Sequence, residues 1–148
     1  MINGKYNKYP FDLIIEKSIT KDKCLNICSS ALGINSDTIA IVKDIGQKIK
    51  GEKDIKLICV LDKLLGEYKT RISFYPVNDK VKNQLNKISD FVALGSRFVS
   101  VLECSCMLRD DINVDDDTYD EESFILLEFN KKPVKIIYDD DLLLEDES

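Results

Sequence analysis

The sequence predicts an α+β fold with a mainly antiparallel sheet of about six strands, two helices and an acidic insert. Short runs rich in apolar and β-branched residues recur along the chain and are typical of strands. Only two stretches, residues 21–32 and 79–95, repeat apolar residues at helical spacing. Many strands with few helices indicate α+β rather than alternating α/β architecture.

Each predicted element has local signals at its ends. Ser18 and Thr20 are both suitable N-caps for the first helix, and Gly33 follows it where a C-cap glycine belongs. The second helix is predicted to begin after Asn78 or Asp79 and to end at Gly95. Strands are predicted over residues 11–16, 38–43, 55–61, 69–77 and 97–107, and a closing hairpin over residues 124–129 and 134–138.

Length and composition indicate one folded domain. The chain has 148 residues, of which 44% are hydrophobic and 32% charged, and it contains no internal repeat or Pro/Gly/Ser-rich linker. We expect a single α+β domain over residues 1–138, followed by an acidic C-terminal tail over residues 139–148. No signal peptide is recognisable at the N-terminus, and no apolar run approaches the ~20 residues that span a bilayer. We therefore expect a cytoplasmic protein without membrane contact.

The absence of histidine limits the possible chemistry. The sequence has no histidine, which is the commonest general base and a frequent metal ligand. Ser-His and Cys-His nucleophilic pairs are therefore excluded, and no Gly-rich phosphate loop is present. We expect a protein that is not an enzyme and has no cofactor.

Five cysteines, an odd number, cannot all pair within one chain. We expect them to be small core residues, as is usual in a reducing compartment. Zinc bound by Cys24, Cys28, Cys104 and Cys106 is the alternative, but their CxxxC and CxC spacings differ from the CxxC pairs of zinc ribbons. No metal site is predicted.

Charge is distributed very unevenly along the chain. Residues 1–108 contain 17 Lys+Arg and 12 Asp+Glu, whereas residues 109–148 contain 4 Lys+Arg and 15 Asp+Glu. The acidic residues concentrate in an insert, residues 110–122, and in the tail, residues 139–148. Such asymmetry is typical of an interaction surface.

We predict that these two segments bind a partner. The predicted partner-binding residues are Asp110, Asp111, Asp115, Asp116, Asp117, Tyr119, Asp120, Glu121, Glu122, Asp139, Asp140 and Asp141. A calcium loop of the EF-hand type is disfavoured, because Asp116 stands where that loop needs glycine. A solvated loop without a role remains an alternative for the insert. For the tail, the three leucines at 142–144 either anchor an interface or pack onto the domain.

In its size, acidic balance, α+β mix and carboxylate-rich segments, the sequence resembles bacterial toxin-immunity proteins. The resemblance implies direct binding to the basic domain of a cognate protein toxin, often a nuclease, without chemistry by the inhibitor. An acidic nucleic-acid mimic from a mobile element and a regulatory adaptor subunit are the alternatives. Direct nucleic-acid binding is not expected, because the lysines do not cluster with aromatic residues and the acidic segments repel phosphate.

Overall fold

In the computed structural model, which describes residues 11–43, 54–109, 123–138 and 143, seven strands form one sheet. The strands are β1 (Phe11–Ile15), β2 (Ile39–Val42), β3 (Leu57–Lys63), β4 (Thr70–Pro76), β5 (Cys106–Arg109), β6 (Ser123–Leu127) and β7 (Val134–Ile137). The α-helices within those ranges are α1 (Lys21–Leu32), α2 (Asp79–Gln84) and α3 (Ile88–Leu102).

The strand order in the sheet is β2-β3-β4-β1-β5-β6-β7. Strands β2 and β3 are parallel, and every other neighbouring pair is antiparallel. The first strand therefore lies inside the sheet, with β4 on one side and β5 on the other. This architecture confirms the predicted α+β class and the mainly antiparallel sheet.

The ends of α1 follow the sequence signals. The Thr20 side chain accepts a hydrogen bond from the Lys23 amide at 3.1 Å and thereby caps the N-terminus. Gly33 ends the helix with φ of 63°, a left-handed conformation that glycine adopts without a steric cost. Of the two predicted N-caps, Thr20 and not Ser18 begins the helix, and the predicted end at Gly33 is confirmed.

The region from residue 85 to residue 107 differs from the prediction. The predicted second helix is two helices, α2 and α3, and the chain continues in α3 as far as Leu102. The strand predicted over 97–107 is reduced to β5, and Glu103 ends α3 with φ of 53°. Valine and phenylalanine in this stretch suggest a strand, but the buried residues Phe91, Leu94, Phe98 and Leu102 recur at helical spacing.

Gly95 lies in the middle of α3 and not at its end, because this is where the helix comes closest to the sheet. A Cβ atom at this position would lie 2.5 Å from Leu127 Cδ1 and 3.4 Å from side-chain atoms of Leu108 and Leu13. Those leucines belong to β6, β5 and β1, so the glycine allows one helix to contact three strands. Close backbone approach outweighs the lower helix propensity of glycine here.

The two faces of the sheet are buried in different ways. On the helix side, Leu13, Cys59, Ile72 and Phe98 belong to one large buried cluster that includes residues of all three helices. On the opposite side, which we call the helix-free face, a second cluster contains Ile14, Leu64, Tyr68, Met107, Phe124 and Leu143. Alternation along β1 explains the division, since Leu13 and Ile14 point to opposite faces.

None of the helices within the described ranges is both long and apolar enough to span a membrane.

Replacement of Gly95 by valine tests the close approach of α3. We expect Gly95→Val to lower the free energy of unfolding by about 1–3 kcal/mol, because the added methyl groups overpack the contact with Leu127. The matched control is Ser96→Val, which adds a similar side chain at the next, exposed position of the helix. Thermal unfolding measures both variants, and an unchanged Tm for Gly95→Val would contradict the proposed packing.

Candidate functional site

The two acidic segments are attached at the same end of the sheet. In the antiparallel register, Arg109 of β5 lies opposite Phe124 of β6, which lies opposite Ile136 of β7. The insert continues from Arg109 and returns at Ser123, and the tail follows the end of β7. We call this end, defined by Arg109, Ser123 and Tyr138, the acidic end of the sheet.

The sequence concentrates negative charge at these attachment points. The insert has eight Asp and Glu residues and the tail has six, and neither segment has a Lys or Arg. All twelve predicted partner-binding residues lie outside the residues that the structure describes. What the structure provides is the position of the strands from which both segments leave.

One residue of the tail is described, and it is buried. Leu143 is 8% exposed and belongs to the cluster of the helix-free face with Met107 and Phe124. Of the two alternatives for the leucines at 142–144, packing onto the domain therefore holds for Leu143. Its burial fixes one point of the tail against the sheet, with three carboxylates on each side of the leucines in sequence.

A cluster of polar side chains lies on the helix-free face, beside the acidic end of the sheet. Ser73 Oγ donates a hydrogen bond to Asp12 Oδ1 at 2.7 Å, and Arg109 Nε lies 3.6 Å from Asp12 Oδ2. Farther along the face, Arg71 donates to Asp62 Oδ2 at 3.0 Å. These charged side chains are about one fifth exposed, which gives each ion pair a partly dry environment.

Burial raises the pKa of the Asp12 carboxyl, although the Ser73 hydrogen bond and the arginines Arg71 and Arg109 act in the opposite direction. Asp12 is not among the site residues predicted from the sequence. The relevant signal in the sequence is that alternation places Asp12 on the same strand face as the apolar residue Ile14. A carboxylate that is buried beside apolar side chains needs a hydrogen-bonding or charged partner.

Arg109 connects this group to the start of the insert. Its guanidinium carbon lies 5.2 Å from the centre of the Phe124 ring, within the range of a cation–π contact. Arg109 thus contacts both Asp12 of β1 and Phe124 of β6. The residue from which the insert departs is held in place by its neighbours on both sides.

All five cysteines are free and buried, which confirms the prediction that they are core residues. The structure groups them differently from the sequence-based alternative. Cys24 and Cys28 of α1 lie with Cys59 of β3, and their three Sγ atoms are all within 4.8 Å of one another. We call these three residues the thiol cluster.

Hydrogen bonds within the thiol cluster distinguish the three thiols. Donation from Cys28 and Cys59 to the sulphur of Cys24 lowers the pKa of Cys24 to about 5. The same interaction raises the pKa of Cys28, whereas burial is the main cause of the raised pKa of Cys59.

Cys104 and Cys106 form a separate pair at the start of β5, at the opposite end of the sheet from the insert. A hydrogen bond from Cys106 lowers the pKa of Cys104 to about 7 and raises that of Cys106. The structure does not bring Cys24 and Cys28 together with this pair as a four-cysteine zinc site, because they cluster with Cys59 instead.

A cavity of about 450 Å³ lies among the three helices and is lined by residues that include Gln84, Asp90 and Arg97. The Asp90 carboxylate accepts hydrogen bonds from the Asn86 and Lys87 amides, and Arg97 donates to Ser30. These bonds give Asp90 and Arg97 structural roles at a helix N-terminus and between helices.

Comparison with known proteins adds no relative. No protein-family model matches the sequence, and neither a curated protein nor a solved structure matches it significantly.

Substitution of Asp12 by asparagine tests the buried carboxylate through the pH dependence of stability. Because the pKa is raised in the folded chain, ionisation of Asp12 destabilises the fold as pH rises from about 4 through the raised pKa. We expect Asp12→Asn to have a higher Tm than the parent at neutral pH, and the difference to vanish below about pH 4.

Asp62→Asn is the control on the same face. It removes the carboxylate that accepts from Arg71 at 3.0 Å. We therefore expect a lower Tm at neutral pH, with a loss of up to about 1 kcal/mol in the free energy of unfolding. A neutral-pH loss of stability in Asp12→Asn as large as that in Asp62→Asn would contradict the burial argument.

Proposed function

We propose that this protein is a non-catalytic inhibitor that binds a basic protein domain through the insert and the tail. The observation that carries the proposal is the attachment of both acidic segments at one end of the sheet. Together the segments contribute fourteen carboxylates and no basic residue. A cognate toxin domain, in particular a nuclease with a basic groove for phosphate, is the partner that fits this charge best.

Electrostatic steering gives such an arrangement a functional advantage. Charges of one sign at one end of a molecule orient an oppositely charged partner before contact and raise the association rate. At physiological ionic strength the screening length is about 8 Å, so carboxylates attached to neighbouring strands act on the same approaching surface. An inhibitor that must act before its target reaches nucleic acid benefits from fast association.

The attachment points are well suited to support binding. Arg109 contacts Asp12 and Phe124, and Leu143 is buried against the helix-free face. Fixed points along a binding segment reduce the conformational entropy that is lost when the complex forms. Tyr119 of the insert supplies an aromatic side chain of the kind that dominates binding energy at interface centres.

The cytoplasm is the compartment that we propose for this interaction. Five free thiols and no disulfide are typical of proteins in a reducing environment. An inhibitor in that compartment protects the cell in which it is made.

Charge reversal within the insert tests the proposed surface. We expect the triple variant Asp115→Lys, Asp116→Lys, Asp117→Lys to weaken binding to the basic partner domain by at least about tenfold. Its Tm should stay close to that of the parent, because solvated carboxylates contribute little to stability. Biolayer interferometry and thermal unfolding measure the two quantities.

The matched control reverses three carboxylates at the opposite end of the sheet, Glu67, Glu103 and Glu128. It changes the net charge by the same amount but should leave affinity within about twofold of the parent. Equal weakening by both triple variants would show that net charge alone matters. Unchanged binding of the insert variant, together with Tyr119→Ala, would exclude the insert as the binding surface.

Salt dependence provides an independent test. We expect the association rate constant for the basic partner to fall steeply between low and physiological ionic strength, because screening weakens steering. The dissociation rate constant should change much less. An association rate constant that is independent of salt would contradict the electrostatic mechanism, whichever partner is used.

A further inference from the structure

The thiol cluster brings three sulphur atoms together from two elements of the fold. Cys24 and Cys28 are four residues apart in α1 and therefore lie on the same face of the helix. Cys59 is on β3, and its side chain belongs to the same helix-side cluster. The fold thus positions three potential ligands without any contribution from Cys104 or Cys106.

We propose that Cys24, Cys28 and Cys59 form a binding site for a single Cu(I) ion. Thiolate sulphur is a soft ligand and selects soft ions, of which Cu(I) is the common biological example. The three Sγ atoms already lie within 4.8 Å of one another. A trigonal site with metal–sulphur bonds of about 2.3 Å needs sulphurs separated by about 4 Å, so small side-chain rotations close the site.

The number of ligands distinguishes Cu(I) from zinc. Structural zinc sites almost always have four protein ligands. Within the described residues, no carboxylate belongs to the group formed by the three thiols, and the sequence has no histidine. All three cysteines are 0% exposed, so water has no direct access as a fourth ligand. Cu(I), in contrast, is stable with three sulphur ligands.

Binding releases protons, because thiolate and not thiol is the metal ligand. As three copper–sulphur bonds form, three S–H bonds break and three protons leave to the solvent. The surroundings of the thiol cluster are core residues such as Leu57 and Ile27, where net charge is costly, so Cu(I) affinity should rise with pH as the protons are removed. The copper enters as Cu(I), so binding involves no electron transfer.

The site is independent of the acidic segments. It lies between α1 and β3 on the helix side, whereas the insert and the tail are attached at the ends of β5, β6 and β7. Copper binding and inhibitor function can therefore be tested separately, and failure of one leaves the other unaffected.

The test is an anaerobic titration of the full chain with Cu(I) against a chromophoric Cu(I) chelator. We expect one Cu(I) per chain that the chelator does not remove at equimolar concentration. X-ray absorption of the loaded protein should show three sulphur neighbours and no nitrogen or oxygen neighbour. A parent protein that loses all copper to the chelator, or that binds through two sulphurs only, would overturn the proposal.

Cys59→Ala is the informative variant, and Cys106→Ala is its matched control. Both cysteines are fully buried on strands of the same sheet, so the two substitutions leave similar cavities. We expect Cys59→Ala to weaken Cu(I) binding at least about tenfold and Cys106→Ala to leave it within about twofold. Circular dichroism confirms that each variant is folded, and the reverse order of effects would assign copper to Cys104 and Cys106 instead.

Discussion

Helix α3 reaches the sheet so closely at Gly95 that a side chain at this position would have to displace Leu127. This contact places the longest helix across β5 and β6, and α1 packs beside it against β2. All three α-helices of the described chain then share one face of the sheet. The other face must be covered by different means, and this requirement explains much of the remaining structure.

The cover of the helix-free face comes in part from loops and from the tail. Leu64 and Tyr68 lie in the turn region between β3 and β4, and Leu143 comes from the tail. They bury Ile14, Met107 and Phe124, which no helix reaches. Beside this apolar cluster the face carries polar side chains. There Asp12 accepts a hydrogen bond from Ser73 and forms an ion pair with Arg109, each on a neighbouring strand. The segment that we propose for partner binding is thus also part of the fold through Leu143.

Local sequence signals were sufficient for most of the sheet and for α1. Capping residues, alternation and glycine at a left-handed position act over a few residues and are visible in the sequence. The error at Gly95 has a different origin, because glycine ends helices and also permits close packing. Only the three leucines that surround Gly95 decide between these roles, and they come from strands distant in sequence.

The candidate sites show the same division. Clustering of carboxylates after residue 108 is a property of the sequence alone, but the shared attachment end depends on strand register. The relation between Cys24 and Cys28 follows from helical spacing, whereas Cys59 joins them only because α1 packs against β2, the parallel neighbour of β3. The pairing of Asp12 with Ser73 and Arg109 likewise requires the order of β4, β1 and β5.

The interior position of β1 has a consequence for the order of events during synthesis. The partners of β1 are β4 and β5, and the second of these ends at Arg109, about a hundred residues later in translation. Until β5 leaves the ribosome, one edge of β1 lacks its partner strand and is exposed to aberrant pairing. Contacts so distant in sequence also slow folding. The acidic insert emerges directly after β5, so its negative charges become available to discourage association between nascent chains when the sheet is being completed.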